Sequence, residues 1–246
     1  LRVLGDATVS AGTVTGTSDL TMVSGTLSGA GVLSLGAGTT TLERTSVLGG
    51  TTPWTFANLQ LGSGSVVGTT TIGGTATVTV SGRLTVATAH VFDAGSSQVD
   101  LSGAGTVFAV AGTYRSGTSL LRYSGAGATV LGTTYYDLHV GAVEGASTFT
   151  GAGTGIVVGR NLLIGNGTAS STFTTTASDQ SLTVSGATTI LGAATLSLSD
   201  TATTTFAGSY DNDGTLLGNG GVVAFTGTGT HTIAAGASSF SRVVVN

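Results

Sequence analysis

The 246-residue sequence contains no cysteine, no lysine and a single proline, Pro53. The absence of cysteine excludes disulfides and thiolate metal sites, and the absence of lysine excludes a phosphate-binding loop of the Gly-x-x-x-x-Gly-Lys type. One proline beside 42 glycines excludes a collagen triple helix. Charged residues make up only 7% of the chain and hydrophobic residues 40%, which is the reverse of a disordered chain.

Charge of either sign is scarce and is not clustered. All seven basic residues are arginines scattered along the chain, and the formal net charge is −4. Nucleic acid is therefore not an expected partner. No run of 18 apolar residues is present, so no membrane-spanning helix is expected. The first ten residues, LRVLGDATVS, lack the apolar core of a signal peptide, and we expect the chain to be a segment of a longer repetitive array.

Short runs that alternate in polarity, separated by glycine-centred turns, fill the sequence. Examples are TATVTVSG, GRLTVATA and QSLTVSGA, each with four to six residues of period-two pattern. β-Branched residues suit strands, and strong helix formers other than Ala and Leu are nearly absent. The pattern predicts an all-β protein with strands too closely spaced for crossover helices.

A longer repeat is also present. Phe56-Ala-Asn-Leu-Gln-Leu61 recurs as Tyr135-Tyr-Asp-Leu-His-Val140 and as Phe240-Ser-Arg-Val-Val-Val245, with starts 79 and 105 residues apart. Both spacings are near multiples of roughly 20 residues, a suitable length for one solenoid turn of three short strands. We therefore predict a single domain over residues 1–246, a right-handed parallel β-helix of about twelve coils, with modules starting near residues 51, 133 and 238.

Two other β architectures fit less well. An outer-membrane barrel needs strands of about 9 to 11 residues and aromatic girdles, whereas the runs here are half that length and aromatics are few. An antiparallel sandwich or meander remains the second alternative.

Residues 24–42, SGTLSGAGVLSLGAGTTTL, and residues 101–118, LSGAGTVFAVAGTYRSGT, resemble the Gly-Thr-Leu-rich repeats of bacterial autotransporter passengers. More broadly, the chain is similar to repetitive, adhesin-like β-solenoid surface proteins of bacteria. The resemblance implies an elongated, surface-exposed protein without catalytic activity, and it does not identify a ligand.

No catalytic, cofactor-binding or metal-binding residue is predicted. His90, His139 and His231 share no ligand spacing, and we expect surface or strand-end positions for them. Carboxylates are dispersed, although Asp179 and Asp200 are 21 residues apart and would stack on neighbouring coils if they share a corner. Such a pair would favour a shared cation, but two ordinary turn aspartates are the preferred interpretation.

Two short motifs are interpreted as turns. Residues 211–214, Asp-Asn-Asp-Gly, begin like a calcium loop but lack the glycine that should follow. Residues 166–168, Asn-Gly-Thr, match a glycosylation sequon, yet Asn-Gly is equally a turn signal.

Alternating threonines are typical of flat ice-binding solenoid faces, but such a face needs the same pair in every coil. The pairs drift along the chain, so we expect ordinary solvent-facing threonines. The positions concerned are Thr75, Thr77 and Thr79; Thr172 and Thr174; and Thr226, Thr228 and Thr230.

Aromatic residues have two alternative roles, a sugar-binding stripe or internal packing between modules. Their recurrence in the module favours packing for Trp54, Phe56, Tyr135, Tyr136 and Phe240. Tyr114 and Tyr123, beside Arg115 and Arg122, are better candidates for a surface contact.

The expected function is an extracellular or cell-surface structural and adhesive element, non-catalytic and without a cofactor. Neither end of the sequence resembles a cap, so the expected partners are a second copy stacked end to end or neighbouring repeats of the same chain. Surface polysaccharide is a further candidate partner. The alternatives are a β-helix that binds or degrades polysaccharide and, third, an ice-binding protein.

Overall fold

The structure is a computed structural model that describes residues 1–50, 53–74 and 77–246. The predicted module start near residue 51 and the threonine at position 75 lie outside the described residues. The chain forms two compact units, Leu1–Leu120 and Leu121–Asn246. One continuous domain over the whole chain stays a prediction.

Unit 1 contains strands of two to five residues. In chain order they are β1 (Arg2–Val3), β2 (Ala7–Val9), β3 (Thr13–Thr15), β4 (Leu20–Met22), β5 (Gly25–Gly29), β6 (Val32–Ser34), β7 (Thr39–Leu42), β8 (Ser46–Leu48), β9 (Trp54–Phe56), β10 (Asn58–Leu61), β11 (Gly68–Ile72), β12 (Thr77–Val80), β13 (Leu84–Val86), β14 (His90–Asp93), β15 (Gln98–Leu101), β16 (Phe108–Val110) and β17 (Thr113–Arg115).

Every third strand of unit 1 lies in the same sheet. One sheet has the order β1-β4-β7-β10-β13-β16 and a second has β2-β5-β8-β11-β14-β17. On the third side β3 pairs with β6, and β9, β12 and β15 follow one another in a further ladder. The pairings between described strands are parallel, so each winding of three strands repeats directly beside the previous one.

Unit 2 begins within β18 (Leu120–Tyr123) and contains one unusually long strand. The strands that follow are β19 (Thr129–Tyr135), β20 (Asp137–Val140), β21 (Ser147–Val158), β22 (Leu162–Ile164), β23 (Ser171–Thr174), β24 (Leu182–Val184), β25 (Thr188–Ile190), β26 (Ala194–Ser197), β27 (Thr203–Phe206), β28 (Tyr210–Asn212), β29 (Thr215–Leu217), β30 (Val222–Phe225), β31 (Ile233–Ala234), β32 (Ala237–Ser239) and β33 (Arg242–Val245), with a 3-10 turn at Thr176–Ser178.

The long strand β21 joins two ladders of unit 2. Its first half pairs with β23, which continues to β26, β29 and β32, and its second half pairs with β24, which continues to β27, β30 and β33. The third ladder has the order β18-β20-β22-β25-β28-β31. Strand β19 pairs with both halves of β21, and its register shifts between Gly132 and Thr134.

The prediction of an all-β parallel solenoid is confirmed. Coils follow one another about every 22 residues, and the chain makes about 11 turns. The mean coil is slightly longer than the predicted 20 residues because some corners are longer. For example, Leu61 pairs with Val86 and Leu162 pairs with Thr188.

Alternation along the strands divides each sheet into a buried face and an outer face. In unit 1 the inner column Met22, Leu42, Leu61 and Val86 is fully buried, whereas the outer column includes Thr21, Thr41, Gln60 and Thr85. In unit 2 the inner residues include Phe149, Phe173, Leu196 and Leu216, all fully buried. Each fully buried side chain of this kind contributes about 1.5–3 kcal/mol.

The recurring module corresponds to a corner between two strands. In its first copy Phe56 ends β9 inside unit 1, Asn58 begins β10 directly after the corner, and Leu59 and Leu61 turn inward on β10. The Asn58 side-chain oxygen accepts a hydrogen bond from the Arg83 backbone N–H of the next coil at 3.0 Å. In the second copy Asp137 accepts from the Asn161 N–H at 2.9 Å. The polar position of the module therefore ties one coil to the next.

Candidate functional site

The first coil of unit 1 leaves a sheet edge and an apolar opening uncovered. We name strands β1, β2 and β3, with the exposed side chains of Leu1, Leu4 and Val14, the first-coil edge. Each of these strands pairs with a following strand on one side and stands last in its sheet. A cavity of about 240 Å³ opens here, with Leu20, Leu33 and Leu35 among its lining residues.

The last coil of unit 2 also leaves a sheet edge and an apolar opening uncovered. We name strands β31, β32 and β33 the last-coil edge. Strand β33 is exposed along its whole length, and Val243, Val244 and Val245 are 48%, 41% and 70% exposed. A cavity of about 170 Å³ opens beside it, with Phe206, Phe225, His231 and Val245 among its lining residues. Both edges present backbone groups together with apolar side chains, the combination that a further β-coil would cover.

A polar trough lies on the outer face of unit 1. It has a volume of about 180 Å³ and is lined by residues of three neighbouring coils: Thr39, Asn58, Leu59, Gln60, Arg83 and Thr85. Amide, guanidinium and hydroxyl groups of this kind can hydrogen-bond the hydroxyls of a sugar. Sequence reasoning missed this trough, because its members come from three coils and become neighbours only through the parallel register.

The three histidines occupy different environments. His90 is the first residue of β14, as expected for a strand end, but it is 1% exposed, and its Nε2 lies 2.9 Å from the Thr70 hydroxyl. Burial lowers the pKa of His90 below its ordinary value of 6.5. His139 lies on the outer face with its Nε2 2.8 Å from the Gly165 carbonyl oxygen, and His231 is exposed near the last-coil edge.

The structure brings Asp179 and Asp200 together, as their spacing predicted. Both are exposed, and the pKa of Asp179 is lowered by hydrogen bonds with the side chains of Asp200, Ser199 and Thr201. The Ser199 hydroxyl donates to Asp179 at 3.1 Å. Within residues 1–50, 53–74 and 77–246, no group of three or more His, Asp or Glu side chains is placed to hold a metal ion.

Residues 166–168 form a turn stabilised by an asparagine side chain, as predicted. Asp211 and Asn212 instead end strand β28, and only residues 213–214 form a bend, which Asn212 stabilises. Asn166 Oδ1 accepts the N–H groups of Thr168 and Ala169 at 2.9 and 2.7 Å. Asn212 is 3% exposed, its Oδ1 accepts the Gly214 N–H at 3.0 Å, and its amide nitrogen donates to the Ala235 carbonyl. The inward Asn212 side chain is therefore committed to the next coil.

The aromatic residues of the module do not form a stripe on the surface. Trp54, Phe56 and Tyr135 are 0–2% exposed, in agreement with the predicted packing role. Tyr136 is half-buried beside Arg160, whose guanidinium carbon lies 5.4 Å from the ring centroid. Phe240, in the last coil, is only partly covered and packs against Phe225 at a centroid distance of 6.0 Å.

The expectation of a surface contact at Tyr114 and Tyr123 is wrong. Tyr123 is fully buried, and its hydroxyl lies 3.0 Å from that of Tyr135. Tyr114 packs edge-on against Phe108 at 5.2 Å; burial raises its pKa to about 12, against a smaller opposing effect of a hydrogen bond with Ser119. Both tyrosines fall on inward positions of their strands, whereas the neighbouring arginines fall on outward positions.

The alternating threonines were predicted not to repeat from coil to coil. This prediction is confirmed for two of the three sets and is wrong for the third. Thr77 and Thr79 stand opposite Gln98 and Asp100, so that pair is not repeated in the next coil. Residues 226–230 follow β30 and lie outside strands. Thr172 and Thr174, in contrast, pair with Thr148 and Thr150 on one side and with Thr195 and Ser197 on the other.

The fold and these surfaces define a β-solenoid. Comparison with protein families, curated proteins and solved structures found no match. Among the described residues, no helix has the length and apolar character needed to cross a lipid bilayer.

Proposed function

We propose that the chain is a structural and adhesive β-solenoid element of an extracellular or cell-surface assembly, in which coil stacking continues at the first-coil edge and at the last-coil edge. The observation that carries the proposal is the pair of uncovered edges. Each combines unpaired strand positions, exposed aliphatic side chains and an apolar opening.

The energetics favour covering these edges. Val243, Val244 and Val245 are each roughly half exposed or more, and full burial of a valine contributes about 1.5–3 kcal/mol. A covering coil would therefore gain about 1 kcal/mol from each, in addition to the backbone hydrogen bonds of a new parallel ladder. Natural edge strands are commonly protected by lysine or proline. The sequence has no lysine, and its one proline, Pro53, lies outside both edges.

The proposed partner is another β-coil, either from a second copy or from a neighbouring repeat of the same chain. Such a role depends on backbone ladders and small side chains, in keeping with the 7% charged residues and the absence of cysteine. The low charge also limits repulsion between stacked copies.

Sedimentation velocity and electron microscopy of the purified chain over a range of concentrations test the proposal. We expect rods that lengthen with concentration. Val244→Pro removes a backbone donor from β33 and Val243→Asp places a charge on it, so both variants should remain short. Thr189→Asp, on the outer face in the middle of a ladder, is the matched control and should still assemble. A wild-type chain that stays monomeric at every concentration would contradict stacking between copies and would leave a neighbouring repeat of the same chain as the only proposed partner.

A polysaccharide-binding function is the second candidate, supported by the trough around Gln60 and Arg83. Binding of the chain to a panel of soluble polysaccharides, followed by isothermal titration, tests it. Arg83→Ala should weaken binding if the trough is the site, whereas Arg115→Ala, on another sheet, should leave it unchanged. Turnover of any of these polysaccharides would instead indicate a degrading enzyme.

A further inference from the structure

Unit 2 carries two adjacent columns of hydroxyl side chains on one sheet. One column is Thr148, Thr172, Thr195 and Thr215, in direct register on β21, β23, β26 and β29. The second column, two residues further along the strands, is Thr129, Thr150, Thr174 and Ser197. We name these eight side chains the hydroxyl face.

The hydroxyl face is held on a rigid support. The residues between its two columns, Phe149, Phe173, Leu196 and Leu216, are all fully buried. Because side chains alternate across a strand, this packing fixes the threonines on the outside. Parallel strands place neighbouring members of a column about 4.8 Å apart, and the two columns lie about 6.6 Å apart along the strands.

The chemistry of the hydroxyl face is uniform. Seven of its members are threonines, each with one hydroxyl and one methyl group, and one is a serine. The face contains no charged or aromatic side chain, which distinguishes it from the trough of unit 1. The face ends where Leu217 replaces the second hydroxyl of the next pair, and Leu217 is 39% exposed.

Among the described residues, no side-chain hydrogen bond joins one member of the hydroxyl face to another. Two members of the face are hydrogen-bonded to neighbouring side chains: the Thr174 hydroxyl lies 2.8 Å from the Thr176 hydroxyl, and Ser197 Oγ accepts from the Asn219 side-chain amide of the following coil at 2.8 Å. Cross-coil bonds between stacked hydroxyls occur elsewhere, for example between Thr8 and Ser28 at 3.5 Å. The other six hydroxyl groups of the face can therefore bond to molecules outside the protein.

We propose that the hydroxyl face binds the surface of ice crystals. A two-dimensional grid of hydroxyl and methyl groups repeats in two directions, as the oxygen positions of an ice surface do. A flexible polysaccharide has no such lattice and is bound more effectively by aromatic and charged groups. Rigid threonines also lose little side-chain entropy on binding, because their χ1 rotation is already restricted. This inference is independent of the proposed structural role.

Thermal hysteresis and inhibition of ice recrystallisation by the full chain test the inference. We expect both activities in the wild type and loss of most of each in Thr172→Tyr and Thr195→Tyr, which place a bulky ring in the middle of the grid. Thr183→Tyr, on an outer position of β24 in the other ladder, is the matched control and should keep full activity. Circular dichroism of all variants establishes that they are folded.

Two results would overturn the inference. One is a folded wild-type chain with neither hysteresis nor recrystallisation inhibition, even if it binds polysaccharide. The other is an equal loss of activity in the Thr183→Tyr control. If a tyrosine variant fails to fold, Thr172→Ser and Thr195→Ser, which remove only the methyl groups, serve in its place and should reduce activity. Unchanged activity in the folded serine variants would contradict a role for the grid.

Discussion

Gly151 of β21 lies against a buried amide, and its replacement provides a sharp test of the packing in unit 2. A Cβ atom at Gly151 would lie 2.1 Å from Gln180 Oε1 and 3.2 Å from its Cδ. Gln180 is 1% exposed, and a Cβ at Gly132 would also lie 2.7 Å from its Nε2, so the buried amide lies against both glycines. Gly151 has no positive φ, and the effect of Gly151→Ala is therefore steric alone.

Overpacking of this kind costs typically about 1–3 kcal/mol. With a denaturant slope of about 3 kcal/mol per molar urea, the midpoint of unfolding should fall by about 0.3–1 M. Circular dichroism followed against urea measures this shift. Gly192→Ala is the matched control, because its Cβ meets nothing within 4 Å and its φ is not positive. Its midpoint should stay at the wild-type value or rise slightly, because alanine restricts the unfolded chain more than glycine does.

A double-mutant cycle with Gln180→Ala identifies the cause. If the amide is the obstacle, the double variant should be more stable than the sum of the single effects by about 0.5–3 kcal/mol. Strict additivity, or a Gly192→Ala effect as large as that of Gly151→Ala, would refute the steric reasoning.

Three further outcomes are expected. Burial lowers the pKa of His90, so the folded state favours the neutral ring. The free energy of unfolding should therefore be highest above about pH 6.5 and decline as the pH falls below that value. Urea midpoints measured at several pH values should show this decline, and His90→Gln should flatten it. Asp137→Ala removes the acceptor of the Asn161 N–H and should cost about 1 kcal/mol, whereas Asp137→Asn should keep most of it. Phe173 is fully buried, and Phe173→Ala should lower the free energy of unfolding by about 3–5 kcal/mol. Val243 is 48% exposed at the last-coil edge, and Val243→Ala should lower it by less than about 1 kcal/mol. Equal losses would contradict the assignment of interior and edge.

Much of the coil architecture was predictable because it depends on local pattern. The alternation in residues 77–80, for instance, becomes β12 with Val78 and Val80 inside and the two threonines outside. The module pattern also has a physical cause, since Asn58 and Asp137 each bond to the backbone of the next coil. The sequence showed that a polar position recurs in the module, and the structure showed that this position lies beside a corner and bonds to the next coil.

The surfaces were less predictable because they combine residues from several coils. Corner lengths vary, so the sequence separation between stacked residues also varies: Thr148 and Thr172 are 24 apart, whereas Thr195 and Thr215 are 20 apart. Read at a fixed period, these threonines drift out of phase. Backbone pairing between coils restores the register, and the grid of the hydroxyl face appears only then.

Composition, period-two alternation and glycine-centred turns determined by themselves that this chain is all-β and winds into stacked coils, because these features act within a few residues. The tertiary structure alone decided that Tyr114 and Tyr123 turn inward, that His90 is buried beside Thr70, and that hydroxyl groups align on one side of unit 2. These outcomes depend on which residues of different coils meet, and that is settled by hydrogen bonding between backbones about 20 or more residues apart.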